Sequence, residues 1–554
     1  MKTLVIAEKP SVGRDIARVL QCDKKGDGYL FNDSYIVSWA IGHLVTLCEP
    51  DDYNPNLKQW SLSTLPIIPE TIKLKAIDKT KGQLAILSKL MNHKDTSDII
   101  CATDSGREGE LIFRYIYDLT KCTKPFKRLW ISSMTDAAIT DGFSKLKNGS
   151  DYDALYQSAK CRSEADWLVG INATRAFTKK YNALLSIGRV QTPTLAIMTQ
   201  RQKEIDAFVP KDYWEIKAQF EPPYQGIWYD MDSKETKIPT LDRATEIQDK
   251  TQGKPGFIKG IETEKKSVPP PNLYDLTELQ RDANKKYGFS AKKTLDLAQD
   301  LYEKRKLITY PRTDSRHLSD DMIPKLPSIM KKAGVGPYAP YAAYTLSLPK
   351  LPITGRIVDN AKVTDHHAII PSEANVNLNV LTQDEALVYD LIVRRFFSVF
   401  YPNYIYNVTK MYTDVQGEIF LSKGKVITQI GWMELYPSKK DDKPDKADKS
   451  DKSDDEATLP DLKEGDQVLC VSAEIAAKKT TPPSPYTEAT LLSAMENAGR
   501  FVESEELKEQ LKESGLGTPA TRAATIERLL AVGYIERKGK SLIPTQKGML
   551  LIDV

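Results

Sequence analysis

The nine residues Leu307–Ser315, LITYPRTDS, place a phenol two residues before a guanidinium. β-branched Ile308 and Thr309 lead into Tyr310 as an extended segment, while Pro311 disfavours helical geometry at Tyr310 and fixes its own φ. The phenol therefore sits on a stiff, non-helical arm, with Arg312 on the same side of the extended backbone. A free phenol titrates near ~10, so a nucleophilic tyrosine at neutral pH needs cationic neighbours and a base or water to take its proton. Arg312 is also suited to hold a phosphate bidentately. The alternative for a tyrosine beside proline in a loop is a purely structural role.

Acidic residues gather after two apolar runs. Glu8, with Lys9 beside it, follows LVIA, and Asp104, Glu108 and Glu110 follow IICA within TDSGREGE. Hard oxygen ligands beyond the carboxyl ends of strands suit Mg²⁺, which keeps several waters and bridges to phosphates. Each cluster alone also reads as helix caps or first-turn acids stabilised by the helix dipole. Together, with Lys9, they favour a metal and phosphate site.

Ser186–Leu195, SIGRVQTPTL, sets a glycine, an arginine and small donors before a helix opened by proline. Such an end binds phosphate through backbone N–H groups, or is an ordinary cap. DHHAII holds His366 and His367, two of only five histidines; neighbours on regular structure point apart, so at most one reaches a site. Gly533–Ser541, GYIERKGKS, imitates a P-loop but has one residue too many between its glycines and no strand-to-helix context, so it is no ATP site.

These groups need a scaffold. TLVIA and SDIICAT read as buried strands, each followed by a helical pattern, VGRDIARVL and ELIFRYIYDL, which is α/β order with a largely parallel sheet. Helical text runs from Asp151 to about Ala207, with EADWLVGINATRAFTKKY its clearest stretch. Short alternating segments from Tyr213, and again in YIYNVTKMYTDVQGEIFLSKGKVI, indicate β structure; helices surround Tyr310 between them. Ser438–Ala457 has no large apolar residue and reads as a disordered loop. The last part, helices and then a small hairpin, has winged-helix order, equally compatible with a structural unit and with a DNA reader.

With 554 residues the chain is long enough for roughly three to five compact units. No apolar run approaches a bilayer span, so no membrane association is expected. Net charge is +3 from 78 Lys+Arg against 75 Asp+Glu, which by itself neither supports nor excludes nucleic acid. The first residues lack a signal peptide's apolar core, and the six cysteines form no C-x-x-C pair, so the expected compartment is reducing and cytoplasmic.

VIAEKPS, ATDSGREGELI, EADWLVGINATRA, SIGRVQTPTL, ITYPRTDSRHL, TDHHAIIPS, YTEATLLSAMENAGR and GLGTPATRAATI, in this order, resemble the type IA DNA topoisomerases, nearest the bacterial topoisomerase III branch, over nearly the whole chain. The resemblance implies a multidomain fold: a Toprim α/β domain over 1–150, helical and winged-helix-like DNA-binding parts over 151–212 and 481–554, a β-rich gate arch over 213–274 and 405–480, and a mobile domain over 275–404 carrying the nucleophile, closed into a toroid. Tyr310 would form a 5′-phosphotyrosine and Arg312 steady the scissile phosphate. Glu8, Asp104 and Glu108 would hold Mg²⁺, Lys9 would assist at the phosphate, and His366 would lie near the tyrosine. Trp60, Arg128, Arg175, and the run Ser186, Ile187, Gly188, Arg189, Val190 and Gln191 would line the single-strand groove.

Where the broader Toprim pattern has a second aspartate this chain has Gly106, which implies one Mg²⁺ rather than two. Members usually continue beyond GMLLIDV through further helices, which implies a shortened chain. The implied partner is single-stranded or negatively supercoiled DNA, with a helicase or single-strand-binding protein beside it, and the enzyme a monomer at a bacterial nucleoid. Other classes predict other behaviour. A tyrosine recombinase would need a C-terminal tyrosine and no metal, a Toprim nuclease or primase would not need the Tyr310 arm, and a non-enzymatic DNA binder would form no covalent adduct.

Overall fold

A computed structural model describes residues 1–363, 365–436 and 458–554, apart from 503, 506–507, 510 and 512–514. The expectation for Ser438–Ala457 lies outside the described residues. The chain divides into two compact units rather than three to five. One comprises Met1–Thr199, Asn272–Phe397 and Tyr486–Val554, the other Gln200–Pro271 and Ser398–Pro485. The larger unit is nevertheless not one core, because its N-terminal and C-terminal parts bury separate apolar clusters.

The N-terminal part is a seven-stranded sheet. Its centre is parallel: Lys2–Ala7 lies between Tyr35–Trp39 and Thr96–Ala102, and Phe126–Arg128 pairs with the latter. Leu4, Val5, Ile6 and Ala7 are all fully buried, as a continuous apolar run requires when helices cover both faces. Short antiparallel strands finish both edges. Helices Pro10–Val19 and Arg107–Leu119 follow the two central strands. The 29-residue helix Asp153–Tyr181 comes next and ends on Asn182 in the left-handed conformation.

The Tyr310 arm is extended. Ile308 pairs across an isolated bridge with Pro371, and Tyr274 with Ile369. Thr309 N–H donates to Ile370 O at 2.9 Å. In the C-terminal part, strands Tyr486–Thr487, Ser541–Pro544 and Ile535–Lys538 form a small sheet beside helices Glu488–Glu496 and Pro519–Ala531. The imitation P-loop is the hairpin of this sheet. Leu195 and Met198, from the helix Gln191–Asp206, share its core with Leu491, Ile526 and Leu529.

The second unit is a closed six-stranded barrel. The alternating burial of Asp212–Glu221 places Ile216, Ala218 and Phe220 inside. Glu418 is buried in this unit and answered by Arg243, Lys250 and the Trp228 indole, which removes the cost of an unpaired carboxylate.

Candidate active site

Parallel registry delivers the acids. Ala7 and Ala102 are directly opposed, so the residues beyond them emerge side by side at one sheet edge. There Asp104 N–H donates to Glu8 Oε2 at 3.1 Å. The turn stays tight because of Gly109, where a Cβ would lie 2.0 Å from the Asp104 carbonyl oxygen. The Thr103 hydroxyl ties the same turn to the Gly109 carbonyl.

Two carboxylates so close and so buried resist ionisation together. Burial, and secondarily Asp104, pushes Glu8 up to about 7, and burial raises Asp104 as well. Asp104 Oδ2 is buried and takes part in no hydrogen bond among the described residues, with Lys9 Nζ 3.8 Å away. Lys9 Nζ is itself engaged by Glu303, whose helix precedes the tyrosine arm. An orphaned carboxylate oxygen beside a second buried carboxylate fits a hard cation such as Mg²⁺.

The third expected acid is not drawn in with them. Glu108 is held by His43 Nε2 at 2.8 Å, and this hydrogen bond lowers its carboxyl from the ordinary value. Among the described residues no group of three or more His, Cys, Asp or Glu side chains is arranged to hold a metal. Glu110 is fully buried and paired with Arg128 and Arg114 at 3.0 and 2.9 Å, an anchor for its helix.

Tyr310 meets this edge from the far side of the chain. Its N–H donates to Ser132 O at 2.9 Å, and its ring lies 4.4 Å from the His366 ring and 5.4 Å, edge on, from Tyr302. A Cβ at Gly106 would start 4.0 Å from the phenol oxygen, so the hydroxyl sits against the Asp104 turn. Burial first, and Asp104 next, push the phenol well above its ordinary range, while Arg312 pulls it down. Arg312 Nε is buried without a hydrogen-bond partner among the described residues. Tyr310, Arg312, Glu108 and Arg162 line one small cavity of about 90 Å³.

His366 is the one histidine of its pair in this site. Its Nε2 meets the Ser105 carbonyl, which can only accept, so Nε2 carries the proton and Nδ1 accepts from Ser132 Oγ at 2.8 Å. Trp130 stacks on the ring at 5.6 Å. His367 turns the other way, onto the Ala368 carbonyl.

Several groove residues are placed differently from expectation. Arg128 is 0% exposed; besides Glu110 it donates to the carbonyls of Cys101, Thr103, Asp104 and Leu129, so it braces the Asp104 turn and faces no groove. Arg175 is 5% exposed, donates to Leu57 O at 2.6 Å and lies 5.3 Å from the Trp60 ring; it shapes the wall of a cavity of about 320 Å³ rather than presenting a free charge.

In the SIGRVQTPTL segment the helix begins at Gln191, before the proline. The Ile187 and Gly188 amides are taken by Thr174 and Thr192 hydroxyls, so these two do not present their N–H groups to a phosphate. Ser186 O accepts from Tyr534 and Gln191. Arg189 pairs with Asp166 at 2.9 Å and, with Val190, lines a cavity of about 1260 Å³ that Arg107, Arg162 and Arg316 also reach.

Sequence reasoning missed His43, Ser132, Glu303 and Arg162. The GH pair after a strand and the glutamate seven residues before Tyr310 were available signals, but neither identifies a partner.

Comparison with known proteins follows the same outline. A Toprim domain model matches residues 3–134 and a DNA topoisomerase model residues 150–554. The chain is 47% identical over 556 residues to DNA topoisomerase 3 of Bacillus licheniformis and 47% identical over 558 to that of Bacillus subtilis, covering all of this chain and 75% of each relative. Full-length topoisomerase I from Thermotoga maritima superposes with a TM-score of 0.73 at 22% identity, covering 99% of this chain and 82% of that one, which is a likeness of fold.

Proposed function

The chain belongs to the type IA DNA topoisomerases, and from that membership we propose that Tyr310 is the group that cuts one DNA strand and Arg312 the group that holds the phosphate being cut. The observation that carries this is the seating of the Tyr310 hydroxyl against the Asp104 turn, with the Arg312 donor left without a partner beside it.

As the phenol gives its proton to water, its oxygen attacks phosphorus, the P–O3′ bond breaks, and the 3′ oxygen takes a proton back from water and leaves as a hydroxyl. The 5′ end remains esterified to Tyr310. Resealing reverses each step, so the bond energy is kept and no nucleotide is consumed. In the resting site the phenol is protonated. An incoming phosphodiester paired with Arg312 places the reacting phosphorus beside it, and the charge that grows on the phosphoryl oxygens is what Arg312 and Lys9 stabilise. Releasing Lys9 from Glu303 frees its ammonium for that role. His366, neutral and fixed at both nitrogens, orients the ring of the nucleophile. Glu8 and Asp104 would hold Mg²⁺, with Glu108 reached directly or through water, and the ion supplies positive charge at the phosphate.

On the same reading Trp60, Arg189, Val190 and the ridge about Gln191 border the path of a single strand, and Arg175 supports it from behind. The substrate is DNA that exposes single strands, negatively supercoiled or gapped. A helicase or single-strand-binding protein that creates such regions is a fitting partner for a monomer acting at the nucleoid in the bacterial cytoplasm. No helix among the described residues is long and apolar enough to cross a membrane.

Trapping tests the assignment. Mixed with a single-stranded oligonucleotide and quenched with denaturant, the wild type yields a protein–DNA adduct through the 5′ end, and Tyr310→Phe yields none while binding the oligonucleotide within about twofold of wild type. An adduct formed by Tyr310→Phe would assign the nucleophile elsewhere, and cleavage without any adduct would indicate hydrolysis by water.

A further inference from the structure

A series of aromatic contacts crosses from the sheet to the nucleophile. The Tyr152 ring stacks on Trp130 at 5.0 Å and 20°, Trp130 on His366 at 5.6 Å and 12°, and the His366 ring meets Tyr310 at 4.4 Å. Trp130 lies two residues beyond the strand Phe126–Arg128, and Tyr152 closes the turn that enters the long helix, so both belong to the N-terminal part. His366 and Tyr310 lie on the tyrosine-bearing segments, which the bridge of Ile308 with Pro371 joins to each other. The seam between the two parts therefore falls between Trp130 and His366.

Trp130 is fixed from its own side. The Arg128 guanidinium, itself bound to Glu110 and to the carbonyls of Thr103 and Asp104, lies 5.2 Å from its ring. Across the seam the indole Nε1 donates to Asp365 O at 3.0 Å, Ser132 Oγ to His366 Nδ1 at 2.8 Å, and Tyr310 N–H to Ser132 O at 2.9 Å. Parting the seam affects these contacts unequally. Each hydrogen bond is exchanged for one to water with little net change, whereas the flat faces of Trp130 and His366 gain nothing from water in return. After a cut that leaves the 5′ end on Tyr310, a gap for another strand opens only if Tyr310 leaves the sheet edge, and that separates Trp130 from His366.

We propose that Trp130 is a positioning residue of the cleavage reaction: its stacking on His366 holds the seam shut, keeping Tyr310 at the acids for cutting and returning it there for resealing. This rests on the reading of Tyr310 as the nucleophile and adds what closes the site around it.

Two adjacent amides supply the test. Tyr310 N–H bonds across the seam, while Thr309 N–H bonds to Ile370 O within the tyrosine-bearing segments. Hydrogen exchange of the full chain without DNA, resolved to single residues, therefore separates opening of the seam from general loosening. Trp130→Leu, which keeps an apolar side chain but no flat face, should exchange at Tyr310 about tenfold faster than wild type, with Thr309 within about twofold. Trp130→Phe keeps a flat ring and loses the indole donor, so it should match wild type at both. With a single-stranded oligonucleotide and a denaturant quench, Trp130→Leu should trap about threefold more adduct at equal binding, because open forms that cannot reseal add to the cut state.

Unchanged Tyr310 exchange in Trp130→Leu, equal acceleration at both amides, a phenylalanine variant that behaves as the leucine one, or faster exchange without more adduct would each overturn the proposal. Wild type that forms no adduct would instead overturn the reading of Tyr310 beneath it, while exchange at the Tyr310 amide still reports the seam.

Discussion

Burial is the largest influence on the protonation of Tyr310, Glu8, Asp104 and His366, and His366 is where this can be read most directly. Burial pushes the imidazole from 6.5 down to about 3. Because the folded value is depressed, the unfolded chain takes up the proton first. The stability this residue contributes is whole above about 6.5 and is lost as pH falls from there toward about 3. His366→Gln should therefore flatten the fall in denaturation midpoint between about pH 6 and pH 4 relative to wild type. An unchanged slope would mean that the ring is charged in the fold, against the tautomer that the Ser105 carbonyl imposes. The same burial keeps Tyr310 a phenol: a free phenolate beside Glu8 and Asp104 would add a third negative charge to a site that already disfavours two.

The edge that carries the acids depends on how closely its elements approach. Gly109→Ala introduces a Cβ 2.0 Å from the Asp104 carbonyl oxygen, and since both atoms belong to the backbone frame, the turn itself must move. A loss of about 1–3 kcal/mol by denaturation is expected, accompanied by weakened cleavage because Asp104 shifts with the turn. Wild-type cleavage in this variant would show that the turn can relax at no functional cost.

Arg128 belongs to the same frame. Arg128→Ala leaves Glu110 buried with one partner fewer and should destabilise by about 3–5 kcal/mol, while the folded fraction binds single strands like wild type. A selective loss of DNA affinity at full stability would return Arg128 to the groove. Contacts between the sheet and the tyrosine-bearing elements include, besides the stacking of Trp130 on His366, polar pairs at its edge. Lys9 with Glu303, Lys306 with Asp15 at 2.7 Å, and Trp130 with the Asp365 carbonyl at 3.0 Å can all exchange for water.

For the molecule as a whole the chemistry restricts the direction of work. The imitation P-loop is folded as a hairpin, and a proposed phosphotyrosine that keeps the bond energy would let topology changes run downhill without a nucleotide. Purified enzyme should relax negatively supercoiled DNA without ATP, in single linking-number steps resolved on gels, stop on chelation of divalent metal and resume with Mg²⁺. Binding should weaken as salt rises, because each phosphate contact releases a counterion. Steps of two, or relaxation of intact positive supercoils lacking any single-stranded region, would contradict a mechanism in which one strand is cut at a time.

What the amino-acid sequence determined by itself was whatever depends on near neighbours. Continuous apolar runs dictate buried parallel strands, the acids Glu8 and Asp104 follow directly at their ends, and Pro311 with β-branched residues holds Tyr310 extended. The tertiary structure decided what depends on partners far along the chain. Lys9 meets Glu303 across 294 residues, and His366 meets the Ser105 carbonyl across 261. Local text also could not separate Arg128 from Arg189. One is drawn inside by a buried glutamate one element away, and the other stays at a cavity wall, because burial is set by packing and register rather than by residue type. The six-stranded barrel closes for the same reason: alternation marks which residues face inward, but only long-range pairing, as of Asp212–Glu221 with the strand Gln467–Lys479, tells a sheet to join its own edge.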